Sequence, residues 1–323
     1  MYSDYFKHYI YQKKIKTLSN LSIYVLFSII PLIIFYYIFK IHILLSLALS
    51  VLITLIIRSV PIKKRLIFAL LSKFFNEKEI IHIIPKNYLP QDFKRLFFYR
   101  QFVNKNDLCF DVGANVGNRV ETLLKIGAKV IAVEPQEKCC KVLNSQFGNE
   151  ITIINKGLGE KECMKKFHIC DSSEFGLSPF SSFSDEWINA CSKEERFDKS
   201  YSWDKTIEIE MTTLDKLIEN YGMPSFIKID VEGYEFEVLQ GLTHPIAMIS
   251  FEYTIPEQTN KIEQCIKIVE KFNPNICCNF SIGESMEWAL TNWVSVPEFL
   301  KLIENKDFIT TSQGDIYLKQ IKQ

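Results

Sequence analysis

Two short stretches constrain this chain more than any others: LCFDVGANVG at Leu108–Gly117 and VIAVEP at Val130–Pro135. An apolar run short enough for a buried strand ends in an acid, turns at glycine and leads into a helix. A second apolar run ends in Glu134. This order opens a doubly wound α/β sheet, whose ligands sit at the carboxyl ends of the strands. The spacing predicts a strand at 108–112, a helix at 118–126, strands at 129–133 and 151–154, and a helix at 136–147 between them. Asn118 is the expected N-cap of the first helix, and Gly127 fits its C-terminal cap.

The glycine spacing selects the cofactor. Gly113 and Gly117 bracket Ala114, Asn115 and Val116. The dinucleotide fingerprint G-x-G-x-x-G needs glycine at 115 and 118, where this chain has Asn115 and Asn118. That mismatch disfavours a nicotinamide-dependent oxidoreductase. A nucleoside cofactor without phosphate fits better, and S-adenosylmethionine is one. Asp111 then lies near its ammonium, and Glu134 accepts hydrogen bonds from both ribose hydroxyls. Taken alone, G-x-x-x-G also fits a tight strand–helix turn with no ligand.

Four further segments follow in order: NKGLG at Asn155–Gly159, IEIEMTTLDKL at Ile207–Leu217, FIKIDVEGYE at Phe226–Glu235 and ISFEY at Ile249–Tyr253. With DVGANVG and VEP they resemble the FkbM family of methyltransferases, over about Val103–Leu318. The resemblance implies a class I, Rossmann-like fold with a mostly parallel sheet, S-adenosylmethionine as cofactor, and methyl transfer generally to a hydroxyl oxygen. It carries Asp111, Gly113, Asn115, Gly117 and Glu134 over as cofactor-binding positions, and Asp230, Glu232 and Gly233 as part of the active-site rim. Ala114 and Pro135 belong to the same motifs, and Gly157 and Leu158 bend the chain beside the adenine. Arg119 departs from the pattern, being bulky and charged just after the turn; it is expected to face outward on its helix.

Removing a hydroxyl proton during methyl transfer calls for a carboxylate or histidine. Asp230 ends the fourth strand, beside the first; Glu232 follows, and Glu252 ends the fifth. The expected order of preference for the base is Asp230, Glu232, Glu252. Glu232 also suits a helix N-terminal acid stabilised by the dipole. Lys228 shares a strand face with Asp230 and is placed to orient or neutralise one of these acids. Three acids near one rim could hold a divalent cation, but their spacing requires none, so no metal is expected.

Strands are further predicted at 225–230 and 246–252, and helices at 92–103, 213–221, 234–240, 257–272 and 297–305. The stretches 275–282 and 315–319 read as antiparallel strands closing the sheet. The insert at about 160–211 breaks the rhythm. Lys165–Ile169 and Thr206–Met211 alternate as a hairpin outside the main sheet would. Ser172–Trp187 between them reads either as a lid, with Ser181, Ser182 and Trp187 touching substrate, or as a disordered loop.

The N-terminal part has its own constraint. Thr17–Phe39 holds no charged residue, and after Lys40 the run Ile41–Ile57 holds none but His42. Two such spans approach the length that crosses a ~30 Å hydrocarbon core. Lys7, Lys13, Lys14 and Lys16 precede them and Arg58, Lys63, Lys64 and Arg65 follow. This predicts a helical hairpin with both ends, and the catalytic domain, in the cytoplasm, the membrane being the inner one if the source is bacterial. One span plus an in-plane helix is the alternative. Ile62–Phe75 reads as a basic amphipathic helix, either on an anionic membrane or packed on the α/β domain. The division is thus 1–75 membrane anchor and 76–323 methyltransferase domain.

Zero net charge argues against nucleic acid as partner. Nine cysteines without C-x-x-C spacing suggest a reducing compartment rather than zinc. The anchor suggests the bilayer itself as partner and a glycan, glycolipid or other small-molecule acceptor. The other reading is a non-catalytic membrane scaffold that keeps the fold.

Overall fold

The computed structural model describes residues 91–171, 180–193, 202–255 and 259–321. All lie in the compact unit Gln91–Gln323. Among the described residues no helix is long and apolar enough to cross a membrane. The expected hairpin at 17–57 and the amphipathic helix at 62–75 lie outside them.

Helix α1 (Gln91–Tyr99) precedes β1 (Leu108–Val112), α2 (Asn118–Ile126), β2 (Lys129–Val133), α3 (Glu137–Phe147) and β3 (Ile151–Ile154). The strands match the sequence reading because their apolar runs are buried on both faces, as a covered parallel sheet requires. Asn118 does not cap α2. Gly117, at φ 91°, holds that position, and Asn118 is the helix's first residue. Gly127, at φ 92°, closes α2 as expected, its N–H reaching the carbonyls of Leu123 and Leu124.

The insert follows: β4 (Gly157–Leu158), β5 (Cys163–Asp171), α4 (Asp185–Lys193) and β6 (Ser202–Thr212). Strands β5 and β6 pair antiparallel, with β4 beside β6, in a separate three-stranded sheet. The hairpin expected outside the main sheet is present and longer than its alternation showed. The end of the expected loop Ser172–Trp187 is the first turn of α4. The chain re-enters the core through α5 (Leu214–Tyr221), whose first turn is capped by Thr213 Oγ accepting from the Lys216 N–H. It continues through β7 (Phe226–Ile229), α6 (Glu235–Gln240), β8 (Met248–Thr254), α7 (Thr259–Phe272), β9 (Ile276–Ile282), β10 (Val294–Ser295), α8 (Val296–Ile303), α9 (Lys306–Ile309) and β11 (Gln313–Gln320).

The main sheet has the order β10-β9-β11-β8-β7-β1-β2-β3. Strands β3, β2, β1, β7 and β8 are mutually parallel, and β11 runs against both β8 and β9. The stretches 275–282 and 315–319 thus form the expected antiparallel pair, β9 with β11; β9 itself points with the parallel set, and β11 and the short β10 oppose it. Alternate residues of β1 feed two cores. Phe110 and Val112 join Ile227, Ile229 and Leu214 on one face, and Cys109 joins Phe226, Tyr99 and Leu123 on the other. The chain order reverses between β1 and β7, which opens a crevice at their carboxyl ends. Gly113 and Asp230 stand on its two lips.

Candidate functional site

At that crevice the glycine turn is locked to the next strand. Asp230 N–H donates to Val112 O (2.9 Å), and Gly113 N–H and Ala114 N–H donate to Val133 O (2.9 and 3.0 Å). Gly113 sits at φ 81°, and a Cβ there would lie 1.7 Å from the Asp230 carbonyl oxygen. Only glycine lets the two strand ends approach this closely. Gly117 serves differently: its missing Cβ makes room for Phe147 and Leu143 of α3. It seats α2 against α3.

Glu134 is 3% exposed, and its two oxygens accept the backbone N–H groups of Asn115 (2.9 Å) and Gln136 (2.8 Å). The left-handed conformation of Asn115, φ 49°, aims its N–H there. Each oxygen keeps a further acceptor site, matching two vicinal hydroxyls. Burial pushes the Glu134 carboxyl up to about 7, against the pull of the two N–H donors. Beside it runs a narrow cleft of about 40 Å³, walled by Pro135, Gln136, Gly157, Leu158, Phe167, Ser181 and Phe183 among others. Gln136, Phe167 and Phe183 were not singled out from sequence. Phe167 belongs to the apolar face of β5, and Phe183 is a large apolar residue in a polar insert, so a pattern was there to be seen.

Past Gly113 and Asn115 the cleft continues into a cavity of about 380 Å³ lined by Ala114, Arg119, Asp230, Glu232, Glu252 and Glu284 among others. One carboxylate oxygen from each of Asp230, Glu232 and Glu252 lies within 4.8 Å of the others. All three residues are half-buried. A shared proton or a divalent cation would suit such a cluster. Lys228, fully buried, bridges Asp230 (3.1 Å) and Asp315 of β11 (2.8 Å). Against the burial that would raise it, Lys228 and Arg119 hold the Asp230 carboxyl below the usual range. Burial and repulsion from Asp230 push Glu232 and Glu252 well above it.

Arg119 faces inward, which corrects the expectation of an outward side chain. It pairs with Glu284, which Arg95 of α1 also approaches at 3.8 Å. Asp111 lies on the same sheet face as Lys228, 1% exposed, with an oxygen that has no hydrogen-bond partner. Burial pushes its carboxyl up to about 6. Of the expected substrate contacts, Ser181 lines the cleft. Ser182 (0% exposed) and Trp187 (3%) are instead buried against the Glu232–Gly233 turn. Cys109, Cys139, Cys140, Cys163, Cys170, Cys265, Cys277 and Cys278 are free thiols.

A narrow cleft beside Glu134 opens onto a carboxylate-lined cavity at the switch point of a doubly wound sheet, where such folds bind their ligands. The chain belongs to the FkbM methyltransferase family: residues 111–309, more than half its length, match the Methyltransferase FkbM domain. It is an S-adenosylmethionine-dependent methyltransferase, and the orphaned Asp111 oxygen and the Glu134 acceptors fit that cofactor. The chain is similar to a TehB-like SAM-dependent methyltransferase from Corynebacterium glutamicum, with 7% identity and a TM-score of 0.35, over 71% of this chain and 88% of that one. It is similar to an rRNA methylase from Streptococcus thermophilus, with 10% identity and a TM-score of 0.36, over 73% and 99%. The assignment rests on the family match. No curated protein matches the chain.

Glu134 gives a pH-dependent prediction. Its folded value near 7 exceeds its ordinary value of 4.5. Its contribution to the stability of the ligand-free chain is therefore full below 4.5 and lost as pH rises through about 7. Ribose binding needs the ionised form, so affinity for S-adenosylmethionine rises between pH 6 and 8. Glu134→Gln, with one acceptor oxygen in place of two, is expected to bind roughly 10- to 100-fold more weakly, the loss of one to two charge-assisted hydrogen bonds. It should also lose the pH slope; calorimetric titrations across that range check both.

Proposed function

We propose that the chain methylates a hydroxyl oxygen of a glycan, glycolipid or other small acceptor at a membrane surface, with Glu232 and Glu252 as the general-base pair. The observation that carries this reading is the meeting of Asp230, Glu232 and Glu252 on the wall of the cavity that continues from the glycine turn. The membrane part of the reading is supported by the apolar, basic-flanked N-terminal sequence alone.

When bound, S-adenosylmethionine supplies an electrophilic methyl group. Glu134, the Gly113–Asn115 turn and Asp111 are the residues to hold it. Asp230, kept ionised by Lys228, is a weak base and supplies fixed negative charge. Glu232 and Glu252 have the higher proton affinity, and a general base works best near the operating pH. One of them takes the acceptor's hydroxyl proton. This reverses the order of preference read from sequence, which ranked Asp230 first.

The test uses the detergent-solubilised chain with methyl-labelled cofactor and paired lipid-linked and soluble glycans. Label on oxygen, with preference for the lipid-linked acceptor, is expected. Label on nitrogen, or on soluble metabolites alone, overturns the reading. Glu232→Gln should lower kcat roughly 10²- to 10⁴-fold, the range of general-base catalysis, while cofactor affinity stays within about threefold.

A further inference from the structure

We propose that Ser182, from the insert, is a positioning residue that holds Glu232 in the backbone conformation placing its carboxyl in the acid cluster. The inference rests on the reading of Glu232 given above and adds a part of the chain that lies outside the core sheet.

Glu232 adopts φ 54°, a left-handed conformation that a residue with a Cβ keeps only when its surroundings impose it. One such restraint is a short hydrogen bond, Ser182 Oγ donating to the Glu232 carbonyl at 2.6 Å. That hydroxyl is itself fixed. It accepts the Ser184 N–H at 2.9 Å. The Ser182 main chain exchanges hydrogen bonds with His168 of β5 at 2.9 and 3.0 Å. The side chain is fully buried, so no water replaces either partner. Gly233, at φ 90°, fits beneath Trp187 of α4, and a Cβ there would lie 2.5 Å from the indole stem. From the opposite side Glu235 accepts the N–H groups of Val231 and Gly233 (3.1 and 3.3 Å). Glu235 orders the turn's amides from one side, and Ser182 holds the Glu232 carbonyl, and with it the plane of the Glu232–Gly233 peptide, from the other.

The structure thus makes the insert a wall of the adenine cleft at Ser181 and Phe183 and a clamp on the acid turn at Ser182. One residue of sequence separates the two roles.

The experiment compares the full chain with Ser182→Ala and Ser182→Cys, the latter a weaker donor of similar size. Two readouts are taken: steady-state kinetics and amide hydrogen exchange of peptides covering 230–234. Ser182→Ala is expected to lower kcat about tenfold with the KM for S-adenosylmethionine changed less than twofold. Exchange at 230–234 should speed about tenfold, with β1 and β7 unchanged, and Ser182→Cys should fall between. Unchanged exchange at the turn in a folded Ser182→Ala protein overturns the proposal. So does a kcat loss matched by an equal rise in KM. If the unsubstituted chain transfers no methyl group, the function reading fails, and the exchange result still decides the positioning role.

Discussion

Gly113→Ala is expected to abolish cofactor binding and to lower the melting temperature by about 10 °C. The added Cβ would overlap the Asp230 carbonyl, and the backbone at φ 81° is strained for alanine besides. The obstacle is main chain in two paired strands, so the lips of the crevice must part. Strain of this kind costs about 1–3 kcal/mol from conformation alone, and the overlap adds to it. For a domain of this size ~1 kcal/mol moves the melting point by about 2–4 °C. Gly283→Ala is the control. It also has positive φ, 48°, but its Cβ would meet nothing within 4 Å. It should cost only the left-handed strain, about 1–2 kcal/mol, and leave cofactor affinity unchanged. Thermal melts and titration calorimetry on the two variants separate clash from strain. Equal losses in both would show that the approach of Asp230 to Gly113 is unimportant.

Lys228→Met is the second large effect. Lys228 is 0% exposed and neutralises Asp230 and Asp315 together. Removing the cation leaves acids in the protein interior without their partner, at a cost of about 3–5 kcal/mol. The pH dependence has a definite sign. Lys228 and Arg119 depress the Asp230 carboxyl despite its burial, so its contribution is present above its ordinary value of 3.8 and lost as pH falls through the folded value. The deficit of the variant is therefore largest near neutral pH and shrinks in acid. Pairing the change with Asp315→Leu, which removes the second buried charge, should recover part of the loss, because residues in one ion network are not additive. Urea unfolding at pH 7 and at about pH 2, on the acid side of the ordinary value of 3.8, checks both statements. A deficit that is equal at the two values would mean that the pair with Asp230 contributes nothing.

The two expectations show where sequence was informative. Gly113, Asn115 and Glu134 lie within one strand–turn–helix–strand unit, where local chemistry fixes the geometry. The apolar runs of β1 and β2 and the glycine turn were legible because burial on both faces and positive φ restrict residue choice at single positions. Gly117 shows the limit of this, since its contact with Phe147 and Leu143 depends on where α3 packs. Arg119 shows another, because a cation on a helix reads as solvent-facing until its partner is known.

The partners came from far along the chain. Arg119 meets Glu284 across 165 residues, and Ser182 meets the Glu232 carbonyl across 50. Asp315 reaches Lys228 because β11 enters the sheet in reverse between β8 and β9. By itself the sequence determined the doubly wound sheet, its cofactor turn and the acids available at the crevice, since periodicity and turn chemistry act over a few residues. The tertiary structure alone decided which acid is held ionised and which are pushed toward basicity. Those properties depend on the nearest charges and on exclusion from water, and both are set by the order in which strands pack.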